Sequence, residues 1–359
     1  MDPCDQFSSR RNFLAGAAGA LLCGTRLGGQ NGRPRRINVH HHLTAPAYVK
    51  FLVDNKVRQF PIKSAAESIE DMDKAGINIA LCSTIGPGFW HGDPGETRRI
   101  AREINEYAAK VVSDYPGRFG AFASLPLPDI DASLKEAEYA LDTLKADGIY
   151  LYTNWGGKSL YGDKYLGDPA LAPLYEELNR RKAVVYTHPK EAACCEALIP
   201  GMNPATIEYP IDTARTITSL LYTGTAAKYP DVKFIFSHGG GALTGIIGRI
   251  AGASATYLQE GGKLRAGAPA PRATPAMPKG PLFELQKFYY DTSSAVNPVG
   301  VGGLRKIVPL SQILFGGDFP FVVTAEQVEL LNECGVFNEQ ELRAIYSENV
   351  GKLLPRYRA

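Results

Sequence analysis

Val184-Val185-Tyr186-Thr187-His188-Pro189 and, one helical stretch later, Phe234-Ile235-Phe236-Ser237-His238-Gly239 share one design. Each is a short, nearly unbroken run of β-branched and aromatic residues that ends in a histidine. Runs of this kind form strands buried on both faces. Between them, the pattern over 213–228 is helical. Strand, helix and strand make a parallel unit whose sheet is covered by helices. The same alternation extends in both directions. It predicts strands over 37–43, 77–84, 119–127, 148–153, 183–189, 233–239, 288–294 and 313–321. It predicts helices over 65–75, 97–115, 132–145, 172–182, 213–228, 243–258 and 325–334, a short one over 302–308 and a last one over 339–350. Asp131 and Asn338 stand where N-caps are expected. Eight strands in one parallel sheet point to a closed (β/α)8 TIM barrel. An open doubly wound sheet is the other candidate, but no glycine-rich phosphate turn follows the first strand.

One segment interrupts the rhythm after the sixth strand and its helix. Residues 259–281 are rich in Gly, Ala and Pro and carry Lys263, Arg265, Arg272 and Lys279. They read as a solvated surface loop, or else as a lid or subunit contact.

Composition bounds the function. Of 359 residues, 45% are hydrophobic and 21% charged, which suits a large buried core and excludes global disorder. Lys and Arg together number 39 against 37 Asp and Glu, a net charge of +2. So even a balance gives no footprint for nucleic acid or an acidic membrane. No apolar run is long enough for a membrane span.

The chain opens with an address. Ser9-Arg10-Arg11-Asn12-Phe13-Leu14 precedes a short apolar stretch of Ala, Gly and Leu over 15–23. That order reads as a twin-arginine export signal over residues 1–33, which places the mature barrel, residues 34–359, in the periplasm. This route moves folded proteins, which fits a metal inserted before export. Cys4 and Cys23 fall within the signal. Cys82, Cys194, Cys195 and Cys334 are too few and scattered for a disulfide framework. Adjacent Cys194 and Cys195 suit neither a typical bridge nor a zinc knuckle, and read as loop thiols without a catalytic role.

The six histidines are His40, His41, His42, His91, His188 and His238. All but His91 lie in or at the end of a predicted strand, the face where barrel enzymes gather catalytic groups. His40 and His42, two apart, share a face, and His41 points away. Asp318 ends the eighth strand in Phe315-Gly316-Gly317-Asp318-Phe319-Pro320. Two imidazoles from one strand, a third from across the barrel and a carboxylate can converge on one divalent ion. These nitrogen and oxygen donors suit Zn²⁺, with Mn²⁺ or Fe²⁺ as alternatives.

The combination of Ile37-Asn38-Val39-His40-His41-His42, His188 after the fifth strand, Ser237-His238-Gly239-Gly240-Gly241 and Gly317-Asp318-Phe319-Pro320 resembles the amidohydrolase superfamily. More narrowly, it resembles the metal-dependent decarboxylase branch, typified by aminocarboxymuconate semialdehyde and salicylate-type decarboxylases. Pro116-Gly117-Arg118-Phe119-Gly120, Leu125-Pro126-Leu127-Pro128-Asp129, Tyr165-Leu166-Gly167-Asp168-Pro169 and Asp212-Thr213-Ala214-Arg215 support it. The resemblance implies a barrel, a single metal and a homodimer. It implies His40, His42, His188 and Asp318 as metal ligands, and His238 as the group that activates bound water or moves a proton. Arg249 matches an arginine that reaches a neighbouring subunit's site to hold a substrate carboxylate; it would equally form an ion pair on its own helix. Asn38 departs from the Asp usual there.

The implied chemistry is non-oxidative decarboxylation of an aromatic or unsaturated carboxylic acid. The metal acts as Lewis acid, and His238 and Asp318 are the candidate proton carriers. Trp90, His91 and Trp155 lie on loops over the same face and would wall a planar acid or simply pack the loops down. Two other readings stay open: a hydrolase of an ester, lactone, amide or activated C–C bond, and a binding protein that keeps the barrel. A complete ligand set argues against the second.

Overall fold

The computed structural model describes residues 34–57, 61–196, 198–252, 262 and 270–358. The export signal lies outside the described residues, as do residues 259–261 and 263–269 of the 259–281 segment, including Lys263 and Arg265.

Eight strands form one sheet in sequence order. They are β1 (Ile37–His42), β2 (Ile79–Ser83), β3 (Phe119–Ser124), β4 (Gly148–Tyr152), β5 (Val184–His188), β6 (Lys233–Phe236), β7 (Tyr289–Asp291) and β8 (Ile313–Leu314). Every neighbouring pair is parallel. The backbone of Val39 donates to Phe315 O at 3.0 Å and that of Asp318 to His40 O at 2.8 Å, which brings the eighth strand onto the first. This is the (β/α)8 barrel that the sequence predicts.

Alternation along each strand divides the core. Val184 and Tyr186 point inward with Ile37, Val39, Leu81, Phe122, Tyr150, Ile235 and Leu314. Val185, Phe234 and Phe236 point outward into the layer between sheet and helices. Tyr186, Phe234 and Phe236 are fully buried, and each such side chain stabilises the fold by roughly 1.5–3 kcal/mol. Val350, Leu354 and Tyr357, near the C-terminus, join the inner cluster. In β1 the register shifts between Asn38 and His41. Val39 therefore packs with the inner cluster while the next residue, His40, also faces Tyr186 across 5.6 Å. No described helix is long and apolar enough to cross a membrane.

The structure differs from the sequence reading at several ends. The eighth strand is predicted to run to 321 but is regular only over Ile313–Leu314, with Phe319 bridging His41 in isolation further on. Beyond it, a Cβ on Gly316 would stand 2.7 Å from Asp291 Cγ, and one on Gly317 2.7 Å from Asn38 Nδ2. Only glycine permits that approach. The helix expected over 132–145 begins at Ile130, capped by Asp129 rather than Asp131, and ends in a π-helical turn over Tyr139–Thr143. Asn338 does cap its helix, in a reciprocal pair with Glu341. The helix expected from 213 starts at Glu208. A helix over Pro46–Asp54 and a small antiparallel pair, Asn154–Trp155 with Lys164–Tyr165, have no counterpart in the sequence reading.

Candidate metal centre and active-site cavity

At the C-terminal ends of the strands, five of the predicted residues meet. His40 Nε2 lies 3.2 Å from His42 Nε2, and both lie 3.2 Å from Asp318 Oδ1. The His188 ring packs 5.2 Å from His40 and 4.8 Å from His42. His238 Nε2 sits 3.3 Å from the other oxygen, Asp318 Oδ2. Donor atoms of His40, His188, His238 and Asp318 all fall within 4.8 Å of one another. The structure thus draws both His42 and His238 to the cluster, on different oxygens of one carboxylate.

The backbone aims two of these groups. His238 has φ +56° and Asp318 φ +62°, left-handed values that non-glycine residues rarely adopt. Such residues cost of order 1–3 kcal/mol each and concentrate at functional sites. By alternation along β6, Ser237 would face inward and His238 outward; the left-handed turn brings the His238 ring back to the cavity.

The electrostatics favour a positive charge in the middle. Burial alone would lower His40, but the carboxylates of Asp318 and Asp291 outweigh it and raise its pKa to about 10. Burial would raise Asp318, yet the surrounding imidazoles hold its carboxyl well below the usual range. Burial and the neighbouring imidazoles keep His188 low, and burial keeps His42 low. Two imidazole nitrogens facing each other at 3.2 Å repel unless a proton or a cation lies between them. His42 and His188 are thus neutral and Asp318 bare, the donor states that a divalent ion requires, and the proton on His40 is the charge such an ion would replace. The cluster therefore suits one metal ion.

A residue missed by the sequence reading supports the cluster. Asp291 ends β7, fully buried, with Oδ2 3.0 Å from His40 Nδ1. Its oxygens also accept from Tyr186 OH at 2.9 Å and from the His238 backbone N–H at 3.0 Å. One carboxylate thus orients the His40 ring and anchors the turn that aims His238. The available signal was a lone Asp closing the apolar run Phe288-Tyr289-Tyr290-Asp291.

Above the cluster opens a cavity of about 630 Å³, with His188, His238 and Asp318 in its lining. Tyr209, Pro210, Val299, Phe321 and Val322 give it apolar walls, and Asn203 and Asn297 add amides.

The other predicted residues lie elsewhere. Trp90 and Trp155 line a smaller neighbouring cavity with Tyr152 and Lys190. Trp90 Nε1 donates to Gly157 O at 3.0 Å, and Trp155 Nε1 to Tyr165 O at 3.1 Å, so both pin loops. His91 pairs with Glu96 at 2.9 Å and packs on Phe51. None of the three lines the large cavity, where the sequence reading placed them as substrate walls. Arg249 is exposed on the helix Leu243–Ala251 and does not line the cavity either. His41 faces outward as expected: its Nε2 lies 3.1 Å from Ser68 Oγ, its ring stacks on Phe319, and burial lowers its pKa to about 3. Lys190 passed unremarked in the sequence. It is buried, which lowers its ammonium to about 7, and it donates to Leu160 O at 2.6 Å.

With this geometry in view, similar proteins can be placed. The amidohydrolase family model matches residues 37–356. The decarboxylase yanB of Aspergillus niger is 37% identical over 345 residues, covering 90% of this chain and 88% of that one. The 6-methylsalicylic acid decarboxylase of Penicillium expansum is 34% identical, covering 79% and 85%. Among solved structures, a dihydroxybenzoic acid decarboxylase from Polaromonas with bound manganese matches with a TM-score of 0.75 at 21% identity, covering 91% of this chain and 98% of that one. The last likeness concerns the fold. Family match, barrel and polar cluster agree: the chain belongs to the amidohydrolase family, among relatives that are decarboxylases.

Proposed function

We propose that the protein is a metal-dependent, non-oxidative decarboxylase of a small aromatic carboxylic acid, of the kind that its 6-methylsalicylic acid decarboxylase relative uses. The observation that carries the reading is the cluster of imidazoles around Asp318 beneath a mostly apolar cavity with ample room for an aromatic acid. In this reading His40, His42, His188 and Asp318 Oδ1 hold the ion. His238 stands beside it, held by Asp318 Oδ2. The donor set suits Zn²⁺, and the manganese of the Polaromonas enzyme makes Mn²⁺ the first alternative. When bound, the ion supplies Lewis acidity for the charge that develops as the carboxyl group is lost.

The protein's own groups supply the rest. Phe321, 5.7 Å from the His42 ring, and Tyr209, 6.2 Å from the His188 ring, hold a planar ring over the cluster. His238 gives a proton to the ring carbon that bears the carboxylate, and Asp318 Oδ2 keeps the imidazole aimed. CO2 then leaves as the ring regains aromaticity. The apolar walls exclude water that would compete for the proton.

Further parts of the reading rest on sequence alone. The chain acts as a homodimer, with exposed Arg249 reaching the neighbouring site, and the twin-arginine segment sends it to the periplasm. Metal analysis of the purified protein combined with a panel of aromatic acids tests the whole. 6-Methylsalicylate should yield 3-methylphenol and CO2. Acid release from esters or amides without CO2 would replace this reading with a hydrolase.

A further inference from the structure

The connection between β5 and the helix Glu208–Tyr222 contains Cys194 and Cys195 in a tight turn over Ala193–Cys195. Their sulfurs face each other at 2.7 Å, closer than two unbonded sulfurs normally rest. Cys194 is exposed and Cys195 is buried. The Arg215 guanidinium donates to Cys195 Sγ at 3.3 Å, well placed for the negative charge that sulfur carries when it attacks. The hydrogen bond to Cys195 raises the Cys194 thiol; Cys82 is buried in the core, where desolvation pushes its thiol far up.

We propose that Cys194 and Cys195 form a reversible redox site, closing to a vicinal disulfide by exchange with a small-molecule disulfide of the glutathione type. Cys194, the accessible thiol, attacks the small disulfide as thiolate, forming a mixed disulfide and releasing one small thiolate. Cys195 then attacks the Cys194 sulfur, forms the ring and expels the second small thiolate. Two electrons pass from the cysteine pair to the small disulfide, and the two cysteine protons go to solvent. Adjacent Cα atoms stand about 3.8 Å apart, closer than in an ordinary bridge, so the ring is strained and readily reduced.

The turn is coupled to the cavity. Ala193 N donates to Gly162 O at 2.9 Å, which fixes one side of the turn. Arg215 ties the other side to the helix whose first turn carries Tyr209 and Pro210 in the cavity wall. Asn203 and Thr206, on the same connection, also line the cavity. Closing the ring pulls Cys195 Sγ from Arg215 and loosens this wall.

Trypsin releases residues 191–215 as one peptide, with Cys194 and Cys195 as its only cysteines. After treatment of the full-length protein with oxidised glutathione, that peptide should be two hydrogens lighter, and dithiothreitol should restore it. Hydrogen exchange over 203–210 should be faster in the oxidised protein. Cys194→Ser should show neither change. A peptide that stops at the glutathione adduct, or that is unmodified, overturns the site. Ring closure with unchanged exchange over 203–210 overturns the coupling. Neither readout depends on which reaction the cavity performs.

Discussion

Asp318 and Asp147 are buried carboxylates at opposite ends of the barrel, and their surroundings differ in kind. At the N-terminal end, just before β4, Asp147 Oδ2 accepts from Ala121 N at 2.8 Å, Tyr357 OH at 2.9 Å and the Arg356 guanidinium at 2.7 Å. The donors are complementary, and one of them is already a cation. Even so, burial outweighs them and pushes Asp147 up to about 6. At the C-terminal end, Asp318 meets three imidazoles whose nitrogens crowd one another, and its carboxyl is held far down. The first carboxylate clamps the C-terminal segment onto the sheet. The second sits where several imidazole nitrogens converge, a donor set that suits one divalent ion. Burial of an acid thus says little by itself; the kind of group that converges on it separates clamp from site.

The contrast can be broken most severely at the upper end. His188→Ala should leave a folded barrel with little or no bound metal and no measurable turnover, read by metal analysis and CO2 release. A variant with normal turnover and no metal would remove the cluster from the chemistry. His238→Asn comes next: metal content should hold while the rate falls by ~10²–10⁴, as for a lost acid–base group. Loss of the metal instead would make His238 a ligand. Asp291→Asn should weaken metal affinity by roughly 10–100-fold, since the partner that orients a ligating imidazole is altered. Competition with a chelator measures this directly, without an activity assay.

The lower end should respond in stability alone. Asp147→Asn should keep metal and turnover. Its carboxyl has a folded pKa of about 6 against an ordinary value of 3.8. The folded state therefore binds the proton more tightly, and the resulting stabilisation is complete below about pH 4 and lost as pH rises through about 6. Relative to Asp147→Asn, the wild type should lose a few degrees of Tm between those limits, which calorimetry can follow.

The same division explains what was legible in the sequence. Strand number, order and the histidine-bearing ends follow from local apolar runs, so Val184–His188 could be read at sight. Strand ends could not. At Gly316-Gly317 the regular strand gives way where Asp291 and Asn38, distant in sequence, come close to the backbone. Asp291 escaped notice for a related reason: its value lies in three contacts made across the barrel. For Trp90 and Trp155 the sequence left substrate wall and loop packing open, because loop residues over a common face need not share a cavity. Their indole N–H groups find backbone carbonyls of other loops and turn the rings aside.

One feature of the cavity bears on the rhythm of turnover. Among the described residues its lining includes no lysine or arginine. Among the described residues, an entering aromatic acid therefore finds positive charge in this lining only on the floor, at the imidazole cluster and the ion proposed there. Once CO2 has gone, the remaining phenol has lost the group that made this attraction. The reaction erases its own tether.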